Sequence, residues 1–262
     1  VLKTLDVDST ALGFSGGFPG DFIAQTLEDS NIQSDFVQVD EDTRINVKLK
    51  SGQETEINAP GPKVTHAQFE QLLSQIRRTT KDDIVIVAGS VPNSIPSDAY
   101  AQIAQITEKT GAQLVVDAEK DLVETVLPYR PLFIKPNKDE LEVMFNTTVK
   151  SDEDVIKYGK EILKKGAQSV IISLGGDGAI YVDQHQSIKA VNPQGHVVNT
   201  VGSGDSTVAG MVAGLSMGLN VDEAFQQAVA SGTATAFSED LATRDAIENI
   251  KSQVTISVLD GE

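Results

Sequence analysis

The alternation of two kinds of segment constrains the fold of this chain more than any other feature. From Asp83 onward, short apolar runs rich in β-branched residues alternate with segments of helical periodicity. The apolar runs are nearly continuous, as in strands buried on both faces, and they are 84–88, 114–117, 132–135 and 170–174. Helices are predicted at 65–79, 97–110, 119–127, 138–145, 152–165, 205–217 and 222–237. The pattern predicts an α/β protein with a parallel sheet covered by crossover helices.

Residues 36–59 differ from the rest of the chain. Polar and apolar residues alternate from Arg44 to Lys50, and a second short run follows after a Ser51-Gly52 turn. Such alternation predicts two antiparallel strands that are solvated on one face. The ribbon is equally compatible with a lid over an active site and with a passive edge hairpin. Pro60-Gly61-Pro62 then returns the chain to the main domain.

The charge balance limits the partners of this protein. The 262 residues include 21 basic and 38 acidic side chains, a net charge of −17, and no cysteine. A surface of this charge repels nucleic acids and anionic membranes, and the lack of cysteine excludes disulfides and thiolate chemistry. The chain has no apolar run of membrane-spanning length and no recognisable signal peptide at its start. We therefore expect a cytoplasmic protein without nucleic-acid or membrane partners.

The segment from Asn199 to Asp205 carries the strongest chemical signal. Gly202, Ser203 and Gly204 precede an apolar helix, so their amides and the positive end of the helix form a site for a phosphoryl oxygen. Asp205 would compete with a bound anion unless it accepts a proton from an attacking hydroxyl. The alternative is an ordinary N-capping aspartate after a flexible turn, and the motif alone does not decide between them.

Asn137 and Glu140 follow another predicted strand and begin a helix. At the carboxyl edge of the sheet, where open α/β folds bind ligands, this pair and water would suit Mg²⁺. The same spacing is also that of a capping box, and both interpretations can hold together.

A glycine turn and a serine loop end two further strands. The turn, 173–178, is more typical of a tight hairpin than of a nucleotide contact when it is considered alone. Ser90 closes the strand 84–88 and is available for polar contact. The P-loop motif and the dinucleotide fingerprint are both absent from the sequence, which disfavours a P-loop NTPase and a nicotinamide oxidoreductase.

Together these motifs resemble the ribokinase-like sugar kinases, often called the PfkB family. The segment 199–205 is similar to the second signature of that family, Asn137 and Glu140 to its Asn-x-x-Glu motif, and 173–178 to its nucleotide-binding glycine turn. Within the family, residues 43–49 and 89–92 most resemble the members that phosphorylate fructose 1-phosphate, with tagatose-6-phosphate kinases second. The resemblance implies a three-layer α/β/α sandwich with a mostly parallel central sheet and a small antiparallel β lid.

The resemblance also implies roles for individual residues. Asp205 would be the general base for the C6 hydroxyl, Gly202, Ser203 and Gly204 the anion hole, and Asn137 and Glu140 the Mg²⁺ ligands, through water. ATP, the phosphoryl donor, would contact the glycine turn, namely Ser173, Leu174, Gly175, Gly176 and Gly178. The sugar phosphate would contact Arg44, whose guanidinium suits phosphate, and the weaker candidates Ser90, Asn46, Lys48 and Asn58.

The expected organisation is a kinase domain, 1–35 and 61–262, with a lid at 36–60. In relatives such a lid often forms the dimer contact, so a homodimer is expected as well. An early strand and a Gly-Gly-Lys-Gly substrate loop of the family are not found in this sequence, and we expect that they are missing from the chain as given. The alternative of another class is a nucleotide-binding protein without catalysis.

Overall fold

The computed structural model describes residues 1–51 and 53–261, although it does not describe the side chains of residues 48, 50, 51 and 53–56. In this part of the chain the helices are α1 Gly17–Asp29, α2 His66–Ile76, α3 Ala99–Thr110, α4 Lys120–Val126, α5 Lys138–Phe145, α6 Asp152–Lys165, α7 Ser203–Ser216, α8 Val221–Ala236 and α9 Arg244–Lys251. The strands are β1 Thr10–Ala11, β2 Phe14–Ser15, β3 Gln33–Ser34, β4 Val37–Gln38, β5 Val47–Ser51, β6 Gln53–Ile57, β7 Ile84–Ala88, β8 Gln113–Asp117, β9 Phe133–Ile134, β10 Ser169–Ser173, β11 Ala179–Asp183, β12 Gln186–Val191 and β13 Thr255–Gly261.

The central sheet has seven strands in the described chain, in the order β13-β12-β11-β10-β9-β8-β7. The strands from β7 to β10 pair in parallel, and one or two helices after each of β7, β8 and β9 return the chain to the opposite end of the sheet. From β10 to β13 the pairing is antiparallel. The four strands predicted from the apolar runs are those of the parallel half, because only strands buried on both faces have that continuous pattern.

Helices cover both faces of this sheet. Alternate residues of the strands contribute to two apolar clusters, so that Val116 and Ile134 lie in one and Val115 and Phe133 in the other. The first cluster includes side chains of α2 to α6, and the second those of α7 to α9. The predicted α/β class with helices on the sheet is confirmed, and the arrangement has three layers. No helix in residues 1–51 and 53–261 has the length and apolar character needed to cross a bilayer.

Small residues bring α7 close to α8. A Cβ atom built at Gly214 would lie 2.7 Å from the Ala224 Cα, and one at Gly210 would lie 2.8 Å from the Ala228 Cα. Real side-chain atoms do not approach a backbone so closely, so both positions require glycine. The contact fixes α7 against the sheet, and with it the start of the helix at Ser203.

The ribbon begins later than the sequence predicts. Strands β5 and β6 form an antiparallel pair with Val47 opposite Ile57, which agrees with the predicted strands. However, β4 pairs in parallel with β2 and Val37 is completely buried in the first apolar cluster. Residues 37–38 therefore belong to the unit around α1, because their apolar side chains are needed in the core. The lid boundary at residue 36 should be moved towards β5.

Candidate active site

Four strand ends meet at one edge of the sheet, because strands β7 to β10 are parallel. The register pairs Ala88 with Asp117 and Val116 with Ile134. The residues after these strands are therefore neighbours. A further bridge joins Asn137 to Ser173, and the amide of Ser173 donates to the carbonyl of Pro136 at 3.1 Å. The predicted metal motif and the predicted nucleotide turn thus lie side by side.

A cleft of about 600 Å³ opens at this edge. Its lining includes the predicted residues Arg44, Ser90 and Glu140, together with Asp117. Tyr100 holds one lining residue of the cleft in place, since its hydroxyl donates to the Gly89 carbonyl at 2.7 Å. Burial, and to a smaller extent the charge of Asp117, raises the pKa of Tyr100 to about 12, so the hydroxyl keeps its proton at neutral pH. The cleft has the size of a small-molecule site.

Asp205 does not cap its helix. The N-cap of α7 is Gly202, with φ of 78°, and Asp205 is the third helical residue, exposed and without a hydrogen-bond partner in the described chain. The capping interpretation is therefore wrong. A free carboxylate at the start of a helix remains available for proton transfer.

The amides of the predicted anion hole are not equivalent. The Ser203 amide donates to the Thr200 carbonyl at 3.2 Å, whereas the amides of Gly202, Gly204 and Asp205 have no acceptor among the described residues. The first amides of a helix lack intrahelical partners. Of the predicted hole, Gly202 and Gly204 therefore remain as donors for an anion, and Asp205 adds a third amide.

Asn137 and Glu140 form the capping box that the spacing predicts. The Glu140 amide donates to Asn137 Oδ1, and the Asn137 amide donates to Glu140 Oε2, both at 2.8 Å. One carboxylate oxygen of Glu140 is left over, and Glu140 lines the cleft. No group of three His, Cys, Asp or Glu side chains suited to a metal occurs in the described chain. The pair fits a magnesium ion that keeps most of its water and binds phosphate, and not a cage made only by protein.

The glycine turn is both a hairpin and an open surface. It connects β10 to β11, and a Cβ at Gly178 would overlap the Ala190 carbonyl oxygen. At Gly175 and Gly176, by contrast, a Cβ would meet no atom within 4 Å. Asn192 Nδ2 donates to the Gly175 carbonyl at 3.0 Å and so fixes the turn. Ser173 and Leu174 are partly buried at its base. The open side leaves room for a flat ligand such as a nucleotide base.

Arg44 reaches the cleft because the preceding residue is fixed. Thr43 donates its amide to the Gly16 carbonyl at 2.8 Å, and its Oγ1 accepts from the Gly16 amide at 3.0 Å. Gly17 has φ of 59°, and a Cβ there would overlap the Asp42 side chain. Arg44 forms no ion pair with any described residue. This leaves its guanidinium available to an anion.

The remaining candidates for sugar contact lie in the ribbon. Asn46 Oδ1 accepts from the Ala59 amide at 3.2 Å and so closes the base of the ribbon. Asn58 is exposed directly after β6. The side chain of Lys48 lies outside the described residues. Neither Asn46 nor Asn58 is among the described residues that line the cleft.

Two charged residues of this edge were not among the predicted site residues. Lys135 and Asp117 form a buried ion pair, with 3.2 Å between Nζ and Oδ1 and side-chain exposures of 7% and 17%. Burial raises the pKa of Asp117. Lys135 opposes this rise, whereas the charges of Asp205 and Glu140 add to it. The signal that could have revealed Lys135 is a lysine directly after a fully apolar strand, a position where a charge is costly.

The chain matches a known family over most of its length. A model of pfkB family carbohydrate kinases matches residues 1–246. The chain belongs to the pfkB family. Its identification as a ribokinase-like sugar kinase is confirmed, as is the predicted three-layer fold class.

Three curated relatives in the pfkB family act on phosphorylated ketohexoses, as their names state. The 1-phosphofructokinase of Bacillus subtilis (strain 168) is 42% identical over 259 residues, which cover 99% of this chain and 86% of the relative. The D-tagatose-1-phosphate kinase of Bacillus licheniformis is 37% identical, with coverage of 99% and 86%. A tagatose-6-phosphate kinase of Staphylococcus epidermidis is 32% identical, with coverage of 91% and 79%.

A solved structure supports the fold at high identity. A Staphylococcus aureus protein, described provisionally as a phosphofructokinase, superposes with a TM-score of 0.92 and is 80% identical. The match covers 100% of this chain and 85% of that one. The pfkB fold and the kinase class follow from these similarities, and the expectation of an enzyme of the sugar-phosphate kinase type is confirmed.

We expect Asn137→Ala to lower the free energy of unfolding by about 0.5–2 kcal/mol, because the variant loses an N-cap. Asn137→Asp should retain nearly all of the stability, since a carboxylate accepts the same Glu140 amide. Urea unfolding followed by circular dichroism measures both. Asn220→Ala is the matched control, since Asn220 caps α8 by accepting from the Glu223 amide. A lower free energy of unfolding in Asn220→Ala, together with an unchanged one in Asn137→Ala, would contradict the capping role of Asn137.

Proposed function

We propose that this protein transfers the γ-phosphoryl group of ATP to the C6 hydroxyl of fructose 1-phosphate. The products are fructose 1,6-bisphosphate and ADP. The observation that supports this most strongly is the free carboxylate of Asp205, beside two unpartnered amides and at the same sheet edge as a cleft that contains Arg44. The 42% identity to a 1-phosphofructokinase supports the choice of sugar.

Asp205 is the general base in this proposal. Its carboxylate takes the proton of the C6 hydroxyl as that oxygen forms a bond to the γ-phosphorus. The bond between the γ-phosphorus and the bridging oxygen breaks, and ADP leaves with the electron pair. Catalysis of this kind depends mainly on position and electrostatics.

The amides at the start of α7 stabilise the negative charge of the transferring group. The predicted hole of Gly202, Ser203 and Gly204 is retained, with Gly202, Gly204 and Asp205 as the amides that have no other acceptor among the described residues. Amides that are fixed before the reaction need no reorganisation, and one such donor typically contributes a 10²- to 10³-fold rate effect.

Asn137 and Glu140 would hold Mg²⁺ through water, and Ser173, Leu174, Gly175, Gly176 and Gly178 would contact the nucleotide. When bound, the ion supplies charge neutralisation for the phosphates of ATP. Glu140 contributes its free carboxylate oxygen, while its other oxygen keeps the first turn of α5 in place. Ser173 is joined to Asn137 by the bridge between their backbones, so the two groups of residues keep a fixed distance.

Arg44 and Ser90 would bind the phosphate and the hydroxyls of the sugar, with Asn46, Lys48 and Asn58 as further contacts in the ribbon. In this proposal the ribbon is the lid of the site. Val47, Leu49 and Ile57 of the ribbon are exposed, and exposed apolar groups of this kind are commonly covered by a ligand or a partner. This supports the homodimer through the lid, which stays a prediction.

Activity with three sugar phosphates, namely fructose 1-phosphate, tagatose 1-phosphate and tagatose 6-phosphate, tests the choice of sugar. We expect kcat/KM to be at least about tenfold higher for fructose 1-phosphate than for tagatose 1-phosphate, because one misplaced hydroxyl leaves polar groups of the site unpaired. A coupled assay of ADP release with both sugars and with tagatose 6-phosphate measures this. A preference for tagatose 1-phosphate has support in the 37% identity to a kinase of that sugar. ATP binding without turnover of any of the three would favour a nucleotide-binding protein without catalysis.

Asp205→Asn should lower kcat by about 10²- to 10⁴-fold, the usual contribution of a general base, while the Kd for ATP changes by less than about threefold. Single-turnover kinetics and calorimetry measure the two quantities. Asp245→Asn removes an exposed carboxylate from the first turn of α9 and serves as the control. Normal turnover by Asp205→Asn would exclude its role as base.

Arg44→Ala should raise KM for fructose 1-phosphate by about 10- to 100-fold, because a hydrogen bond to a charged group contributes roughly 1.5–3 kcal/mol. We expect kcat to change by less than about threefold, since the phosphate is bound equally in the ground state and the transition state. The control is Arg77→Ala, an exposed arginine of the far side that pairs with Glu70. An unchanged KM in the Arg44 variant would place the phosphate contact elsewhere.

A further inference from the structure

A buried ion pair lies at the sheet edge next to the start of α7. Lys135 follows β9 and Asp117 ends β8, and the parallel register of these strands brings them together. Buried ion pairs contribute little to stability, because the loss of hydration roughly offsets their attraction. Replacement of such a pair by two apolar residues is often neutral or stabilising. Stability is therefore a weak reason for a charge at this place, and we consider a role in the site instead.

The ammonium group of Lys135 is in contact with the predicted anion hole. A Cβ atom built at Gly204 would lie 3.1 Å from Lys135 Nζ and 4.0 Å from Asp117 Oδ2. The ammonium thus occupies the space beside the turn where any other residue would place its side chain. A Cβ atom at Gly204 would thus be in tight contact with the end of the Lys135 side chain, and Gly204 does not have a positive φ.

Lys135 has unused hydrogen-bonding capacity. An ammonium has three N–H donors, and the contact with Asp117 is the only one that Lys135 makes with a described side chain. The adjacent amides of Gly204 and Asp205 also have no acceptor in the described chain. Donors from two separate parts of the sequence therefore converge on one place, and an anionic oxygen would satisfy them together.

The surrounding charge makes this lysine necessary for an anion. The charges of Asp205 and Glu140 are close enough to act on Asp117, so three carboxylates lie in the part of the site that contains the Lys135 ammonium. A phosphoryl group placed among these carboxylates alone would be repelled. Arg44, which lines the cleft, is assigned to the phosphate of the sugar. Lys135 lies instead beside Gly204 at the start of α7, which assigns it to the phosphate that reacts.

We propose that Lys135 binds the γ-phosphoryl group of ATP at the start of α7, and that Asp117 is a positioning residue that holds the Lys135 ammonium against Gly204. This role rests on the proposed kinase function. Lys135 contacts the transferring group, so it is a catalytic residue. Asp117 acts only through Lys135.

Nucleotide binding tests the contact with the γ-phosphate directly. We expect Lys135→Met to weaken MgATP binding by about 10- to 100-fold in calorimetric titrations, while MgADP binding changes by less than about twofold. Lys164→Met, which removes a lysine that is 70% exposed, is the control for net charge. Equal weakening of both nucleotides, or of neither, would overturn the assignment.

Kinetics separate a positioning role from a structural one. Lys135→Met should lower kcat for fructose 1-phosphate by about 10²- to 10³-fold, as for the loss of one preorganised donor, with KM for the sugar changed by less than about threefold. Asp117→Asn should lower kcat by at least about tenfold, with Asp82→Asn, an exposed carboxylate, as its control. The double variant Asp117→Asn/Lys135→Met should have the kcat of Lys135→Met alone.

The double variant also guards against misfolding, because it leaves neither charge buried without a partner. A further loss of kcat in the double variant, or normal kcat in Asp117→Asn, would overturn the positioning role. Normal turnover and ATP binding in Lys135→Met would overturn the role of Lys135 and leave the proposed function intact. If the wild-type protein bound neither nucleotide, the proposed function and this role would both be overturned.

Discussion

The parallel pairing of β7, β8, β9 and β10 determines where Asp117, Lys135 and the Asn137–Glu140 pair lie. Because the strands run in the same direction, their last residues meet at one edge, and the register places Asp117 beside Lys135 and Ser173 beside Asn137. A shift of one residue in β9 would exchange the faces of the sheet on which Phe133 and Ile134 lie. Both are completely buried, so the core of the sheet fixes the geometry of the site.

The site features that the sequence predicts are formed by residues close together in the chain, whereas the feature that it does not predict is formed by residues far apart in the chain. The capping box at Asn137 and the glycine turn before α7 depend on residues close in the chain, so their spacing predicts them well. The Asp117 to Lys135 pair depends on which strands are neighbours. A strand-end aspartate alone is most simply interpreted as a helix cap, and the sequence contains no direct signal of the partner. Sequence spacing therefore cannot assign a role to Asp117.

The fold shows the same division. Strands β8, β9 and β10 of the parallel half are largely buried, β7 is partly buried, and all four have the continuous apolar pattern that made them predictable. By contrast, β13 is largely exposed and β1 to β4 have two residues each. Helix α1 was not predicted because Gly17, Pro19 and Gly20 in its first turn lower helical propensity. It forms because the Gly16 backbone is bonded to Thr43 on both sides. Tertiary contact here outweighs local preference, and the same contact directs Arg44 to the cleft.

A net charge of −17 is compatible with the two phosphorylated ligands of the proposed reaction, because the surface charges and the groups in the cleft act over different distances. The field of the surface carboxylates is screened over about 8 Å in physiological salt, so it excludes an extended polyanion more strongly than a small phosphate inside a cleft. Within the cleft, interactions at about 3 Å in a medium of lower polarity dominate. In the proposed reaction, Arg44, the amides at the start of α7 and the buried ammonium of Lys135 act at that range. An acidic surface would then limit which anions approach, and these three local donors would select the phosphate that reacts.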